Sequence, residues 1–135
     1  MLIRYANDLD LDWLAGHDEH ISREILLVKI NFSEVYLAEL ENKPIGWLRY
    51  NLFWDNTPFM NMIYFLEEYR GRGFGKILVK YWEKEMAGKG YKMVLTSTLS
   101  NEEAQHFYRK LGYNEIGGFK LLDEPYEIIF HKNIQ

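Results

Sequence analysis

Cysteine is absent from the 135 residues, which removes disulfides, thiolate metal sites and cysteine nucleophiles together. Stability has to come from packing. Proline is scarce, with three in the chain, and no repeat, low-complexity tract or linker-like stretch interrupts the sequence, so one domain spanning 1–135 is expected. Positive charge is in deficit: 16 Lys and Arg stand against 20 Asp and Glu, a formal net charge of -4. No global field therefore recruits nucleic acid or an anionic membrane, and any anion site has to be local. No uninterrupted apolar run approaches the ~20 residues that span a bilayer. Asn7 and Asp8 follow Met1-Leu2-Ile3-Arg4-Tyr5 before any long apolar region develops, as expected of a soluble cytoplasmic protein.

What is present is the material of a core. Hydrophobic residues make up 47% and aromatics 16% of the chain, too much apolar surface for a disordered segment. Leu2 to Ala6 reads as a short strand, followed by a short helix around Leu9 to Ala15. A second helix is expected over Glu19 to Ile30, with Ile21, Ile25 and Val28 at i, i+4 and i+7. Glu34 to Leu40 and Pro44 to Phe53 are strand-like around the tight turn Glu41-Asn42-Lys43, which predicts a hairpin. Asp55-Asn56-Thr57-Pro58 is a second turn signal before an apolar fourth strand from Phe59 to Leu66.

A helix follows from Phe74 to about Ala87, with Leu78, Trp82 and Met86 on one stripe, and a strand from Tyr91 to Thr98. Ser100-Asn101-Glu102-Glu103 has the form of a capping box, and Ala104, Phe107, Tyr108 and Leu111 continue at helical spacing. Tyr113 to Phe119 and Tyr126 to Lys132 close the chain as two strands. The predicted order is β, helices, β-β-β, α, β, α, β-β, an α/β (α+β) pattern.

Between the fourth strand and its helix lies Glu67-Glu68-Tyr69-Arg70-Gly71-Arg72-Gly73-Phe74-Gly75-Lys76. Glycine lets an anion approach backbone N–H groups, and the following helix offers unpaired first-turn donors at its positive dipole end. The stretch misses the dinucleotide fingerprint, because Lys76 stands where the third glycine belongs. It also misses the Walker A spacing, with three residues rather than four before Gly75-Lys76 and Ile77 after it. What fits is R-x-x-G-x-G, Arg70 through Gly75. About thirty residues on stands a second motif, Asn101-Glu102-Glu103-Ala104-Gln105-His106-Phe107-Tyr108-Arg109-Lys110-Leu111-Gly112-Tyr113.

Together the two motifs, in this order of elements, resemble the GNAT superfamily of acyl-CoA-dependent N-acetyltransferases over essentially the whole chain. The resemblance implies a mixed, mostly antiparallel central sheet with about four flanking helices and a V-shaped splay between the fourth and fifth strands. It implies acetyl-CoA as cosubstrate, with its pyrophosphate on Arg70, Gly71, Arg72, Gly73, Phe74, Gly75 and Lys76. The pantetheine arm would lie along the fourth strand near Ile63, Phe65 and Leu66, and Asn101 resembles the family residue that hydrogen-bonds this arm. Tyr108 resembles the general acid that protonates the departing thiolate, although periodicity also places it on an apolar stripe. A backbone N–H near Phe65 would hold the oxyanion.

The implied reaction is direct attack by a primary amine, small molecule or peptide, in a ternary complex of a monomer or homodimer. An alkyl ammonium with a pKa of ~10.4 is neutral about once in 2,500 at pH 7, so the reaction needs a base or selection of the neutral form. Glu39, Asp55, Glu67, Glu68 and a water relay all remain candidates for that base, each carboxylate reading better as solvated surface.

Elsewhere, His17-Asp18-Glu19-His20 has metal-ligand spacing, but no third ligand is placed and the family needs no metal. The segment reads as a rim of the acceptor site. Alternation puts Trp47, Arg49 and Asn51 on one strand face. Lys89, Lys92, Arg109 and Lys110 could reach the CoA 3′-phosphate, or simply be solvated. A non-catalytic acyl-CoA sensor is the alternative reading, and an ATP-binding protein a more distant one.

Overall fold

The computed structural model describes residues 1–135. Seven strands and four α-helices follow one another as β1 (Leu2–Tyr5), α1 (Leu11–His17), α2 (Arg23–Asn31), β2 (Val35–Leu40), β3 (Lys43–Phe53), β4 (Thr57–Phe65), α3 (Phe74–Gly88), β5 (Met93–Leu99), α4 (Ala104–Lys110), β6 (Asn114–Phe119) and β7 (Glu127–Asn133). Short 3-10 turns at Asp8–Asp10 and Glu67–Tyr69 precede α1 and α3. The strands form one sheet in the order β1-β2-β3-β4-β5-β7-β6. Pairing is antiparallel for β1–β2, β2–β3, β5–β7 and β6–β7, and parallel for β4–β5, where Phe59 faces Leu95 and Met60 faces Thr96. The element order is the one expected from the sequence.

The chain groups into two compact units, Met1–Tyr50 with Met62–Leu78, and Asn51–Asn61 with Val79–Gln135. In the first, Glu41 and Asn42 both take positive φ (53° and 65°), the two-residue geometry that matches strand twist and closes the β2–β3 hairpin. Ala6, Leu14, Leu26, Ile30, Val35, Leu37 and Trp47 form its core, with Trp13, Ile21 and Met62 packed on it.

Helix α2 corrects the expected stripe. Ser22 caps it by accepting from the Ile25 N–H at 3.3 Å, so the helix begins later than Glu19. The face it buries is Leu26, Lys29 and Ile30, while Ile25 and Val28 are more than half exposed. A lysine can sit on that face because its Nζ donates to the Tyr50 carbonyl at 2.6 Å and to Glu34 at 3.4 Å. Hydrophobic periodicity cannot register a buried cation that is satisfied across the sheet.

In the second unit the β3–β4 turn falls at Trp54 and Asp55 (φ 55° and 64°), earlier than expected, and Pro58 lies inside β4. Trp82 and Met86 there, like Leu78 at the end of the first unit, are fully buried, as the stripe on α3 required. The capping box does not form. Helix α4 starts at Ala104 without a side-chain cap, and Asn101 lies in the preceding turn, exposed. Gln105 Nε2 donates instead to the carbonyls of Ser100 and Glu102, at 2.8 and 3.3 Å, and so ties down that turn from inside the helix. Tyr108 is the residue that α4 buries. Below it Glu83 accepts from Tyr113 Oη at 2.8 Å and Lys132 Nζ at 2.9 Å.

Gly46 on β3 is required by close approach. A Cβ there would meet Phe65 Cδ1 and the Tyr64 carbonyl, each at 2.6 Å. Gly46→Ala is therefore expected to destabilise the protein by about 1–3 kcal/mol by overpacking, read as a lowered Tm; an unchanged melting curve would refute the contact.

Candidate active site

The glycine loop belongs to the first unit. Gly71 and Gly73 adopt φ of +75° and +82° with open space at both Cβ positions. Their glycines thus serve conformation rather than clearance, since an L-residue in this region costs roughly 1–2 kcal/mol. Ile77 N–H bonds the Gly73 carbonyl at 3.2 Å, so Gly73 is the cap of α3. By helix geometry the N–H groups of Phe74, Gly75 and Lys76 then have no intrahelical acceptor. Gly71, Arg72, Gly73 and Lys76 are exposed, as an anion seat requires.

The two arginines of the loop are folded back. Arg70 Nε donates to the Phe65 carbonyl at 2.8 Å, and its guanidinium lies 4.8 Å from the Tyr64 ring centroid. Arg72 lies 5.5 Å from the Tyr69 ring. Backbone donors and Lys76 are what the loop presents without rearrangement. On β4, Phe65 is buried and packs 6.2 Å from Phe74 at the start of α3. Leu66 gives its N–H to the Ile45 carbonyl at 2.9 Å, and its own carbonyl accepts the Tyr69 N–H at 2.9 Å, so both of its backbone polar groups are engaged within the protein. Ile63 is half-buried on the same strand.

A cluster that sequence reasoning divided stands on the other face of β3. Asp18, directly after α1, is almost completely buried. Its Oδ2 accepts from Arg49 Nε at 2.7 Å and Trp47 Nε1 at 3.1 Å, and its Oδ1 from the His20 N–H at 3.1 Å and Arg49 Nη2 at 3.4 Å. The shared face of Trp47 and Arg49 was legible; that both reach the aspartate of the His17–His20 segment was not. Burial alone would raise the Asp18 pKa, but the Arg49 hydrogen bond and charge, with the His20 and Trp47 N–H groups, hold it below the usual carboxylate range. Trp47 also packs against Tyr64 (4.9 Å between centroids) and Trp13 (5.7 Å), and His17 stacks on Trp13 at 4.2 Å.

Of the carboxylates considered as base, Glu39 is engaged by Arg4 at 2.6 and 3.0 Å. Glu67 and Glu68 are exposed on the 3-10 turn after β4. Asp55 is exposed in the β3–β4 turn of the second unit.

That unit carries Tyr108. Its ring lies 5.7 Å from Tyr113 and 6.1 Å from Phe130, and it is 6% exposed. Burial pushes its phenol up to about 12, opposed by the hydrogen bond it shares with the Thr96 hydroxyl and aided by the charge of Glu102. Thr96 itself is fixed by donating to the Met60 carbonyl at 3.0 Å.

The profile of the Acetyltransferase (GNAT) family matches residues 3–113. This chain belongs to the GNAT family. The seven-stranded mixed sheet with four helices is the expected GNAT fold, and solved structures repeat it. A GNAT acetyltransferase from Bacillus cereus shares 24% identity at a TM-score of 0.78, covering 98% of this chain and 96% of its own. The paiA N-acetyltransferase from Thermoplasma acidophilum, solved in complex with coenzyme A, shares 21% at a TM-score of 0.80, covering 98% of each chain. A curated relative, an uncharacterized N-acetyltransferase of Chlorobaculum tepidum, is 24% identical over 102 residues, 76% of this GNAT chain; the match spans 63% of the relative's length.

The Asp18 cluster gives this GNAT chain a defined acid sensitivity. A folded-state pKa held below the unfolded ~3.9 contributes stability that is present above about pH 4 and lost as pH falls through the folded value. Asp18→Asn should leave the buried Arg49 unpaired, cost about 3–5 kcal/mol near neutrality and flatten the dependence of Tm on pH below 4. An equal acid slope in both proteins would show that Asp18 is not the responsible group.

Proposed function

We propose that the chain is one acetyltransferase domain, cytoplasmic, that moves the acetyl group of acetyl-CoA to a primary amine by direct attack in a ternary complex. The observation that carries this reading is the loop Arg70 to Lys76, two left-handed glycines opening into the exposed N-terminus of α3, in a chain of the GNAT family. Backbone donors there receive the pyrophosphate. The pantetheine lies along β4 at Ile63, Phe65 and Leu66, and Asn101 supplies a further polar contact to it. The coenzyme A bound by the paiA relative supports the choice of cosubstrate. A backbone N–H at Phe65 stabilises the tetrahedral oxyanion.

Tyr108 is the proton donor to the leaving sulfur. A phenol at about 12 keeps its proton throughout the pH range in which the protein is handled. The hydroxyl–hydroxyl contact with Thr96 and the rings of Tyr113 and Phe130 fix its position. No metal takes part in this chemistry.

Three measurements test the proposal. Release of free thiol from acetyl-CoA across a panel of small amines and basic peptides should reveal turnover; tight coenzyme A binding with no transfer to any amine would favour the sensor instead. Gly73→Val should weaken acetyl-CoA binding in calorimetry by at least tenfold, about 1.4 kcal/mol, and an unchanged Kd would remove the loop from the site. Tyr108→Phe should lower kcat by about 10²-fold or more, and the wild-type rate should show no alkaline limb from Tyr108 up to about pH 10. A falling limb near pH 8–9 that vanishes in Tyr108→Phe would contradict the raised phenol.

A further inference from the structure

An acetyl transfer to an alkylamine needs a proton acceptor, and the four carboxylates considered from sequence are paired with Arg4, as Glu39 is, or exposed on turns. His17 is different. It is the last residue of α1, exposed, with its ring stacked on Trp13 and 6.5 Å between centroids from Trp47. Its Nδ1 lies 2.7 Å from the Trp13 carbonyl. A carbonyl can only accept, so Nδ1 carries the hydrogen and the neutral ring's lone pair is on Nε2, turned away from the helix. Stack and hydrogen bond together fix both the tautomer and the plane of the ring.

The ring is also placed relative to β4. Trp47, which meets His17 edge-on, packs on Tyr64, the neighbour of Phe65 on β4, and the residue after His17 is the buried Asp18 that binds Trp47 and Arg49. The end of α1 is therefore anchored to the strand next to β4 by a carboxylate that accepts four hydrogen bonds. A single exposed histidine that is stacked, tautomer-locked and anchored at the adjacent residue is held more tightly than a solvated side chain needs to be. Arg70, over the Tyr64 ring, adds positive charge nearby, which favours an amine that has given up its proton.

We propose that His17 is the general base of the transfer, its Nε2 taking a proton from the acceptor ammonium beside Tyr64. The inference rests on the acetyltransferase reading. The proton leaves the ammonium for Nε2, directly or through one water. His17 returns that proton to solvent, and the freed lone pair attacks the thioester carbonyl to form the C–N bond. As the C–S bond breaks, Tyr108 gives its proton to the sulfur, and the second nitrogen proton, lost from the tetrahedral adduct as the amide forms, restores the phenol.

The test compares His17→Phe, which keeps the stack, and His17→Ala in the full chain on two acceptors. One is a strongly basic polyamine; the other is methoxyamine, neutral at the assay pH and so in no need of initial deprotonation. We expect kcat/KM on the polyamine to fall about 10²-fold or more in both variants, with methoxyamine changed less than about threefold. Added imidazole should partly restore His17→Ala but not His17→Phe, whose ring fills the site. Equal loss on both acceptors, without rescue, would make His17 a positioning residue and overturn the proposal, as would undiminished activity. Wild-type protein inactive on every amine while binding acetyl-CoA would instead sink the acetyltransferase reading itself.

Discussion

The buried carboxylate of Asp18 is the constraint on which the first unit is organised. Removing an aspartate and an arginine from water costs several kcal/mol per ion, and mutual attraction offsets this only when the remaining lone pairs are satisfied. Here Asp18 is met by a guanidinium, an indole N–H and a backbone N–H. The cost is offset by bonds from two stretches of chain, the His20 backbone and strand β3, so the pair fixes geometry rather than adding much net stability. It pins the end of α1, the loop into α2 and the middle of β3 to one point. Helix α1 has seven residues and little stability of its own; without such an anchor its C-terminal side chains would not hold a direction.

Backbone conformation does for the glycine loop what Asp18 does for α1. Gly71 and Gly73 take turns that other residues resist, and the result is a helix start whose donors point outward. Arg70 closes the opposite end by satisfying the Phe65 carbonyl, so an exposed side chain also braces β4. The strand that receives the cosubstrate in the proposed reaction is thus held from below by Phe65 packed over Gly46, and from its end by Arg70. Rigid support of this kind is what lets a backbone N–H act as an oxyanion donor without reorganising.

Most of the architecture was legible because its signals are local. Period-two and period-3.6 patterns place β2, β3 and α3, and the glycine spacing marks the loop. The misses have a common cause. Helix α2 buries Lys29 in place of Ile25 because the Tyr50 carbonyl, twenty-one residues away, satisfies the ammonium. The capping box at Ser100 yields to Gln105 for a similar reason, an alternative donor that pattern matching does not weigh. Asp18 looked like one carboxylate in a charged segment, since nothing in the one-dimensional spacing shows that Trp47 and Arg49 converge on it. Long-range polar pairing is invisible to periodicity, and in this chain it is also what anchors the end of α1, next to His17.

Proton bookkeeping then constrains the proposed chemistry. A phenol at about 12 facing an alkyl thiolate of basicity ~8.5 would transfer its proton at a cost of roughly 5 kcal/mol, taking ~1.36 kcal/mol per pKa unit. Tyr108 therefore serves best by donating a hydrogen bond that strengthens as negative charge collects on sulfur, not by surrendering the proton early. A donor of that kind is useful only while it stays protonated, which burial among Tyr113 and Phe130 secures. The opposite requirement applies at the amine, where the proton has to leave before attack and then reach water. A buried group would hold that proton; an exposed imidazole with a fixed tautomer passes it on. The contrast between a buried phenol and an exposed histidine matches the two directions in which protons must move.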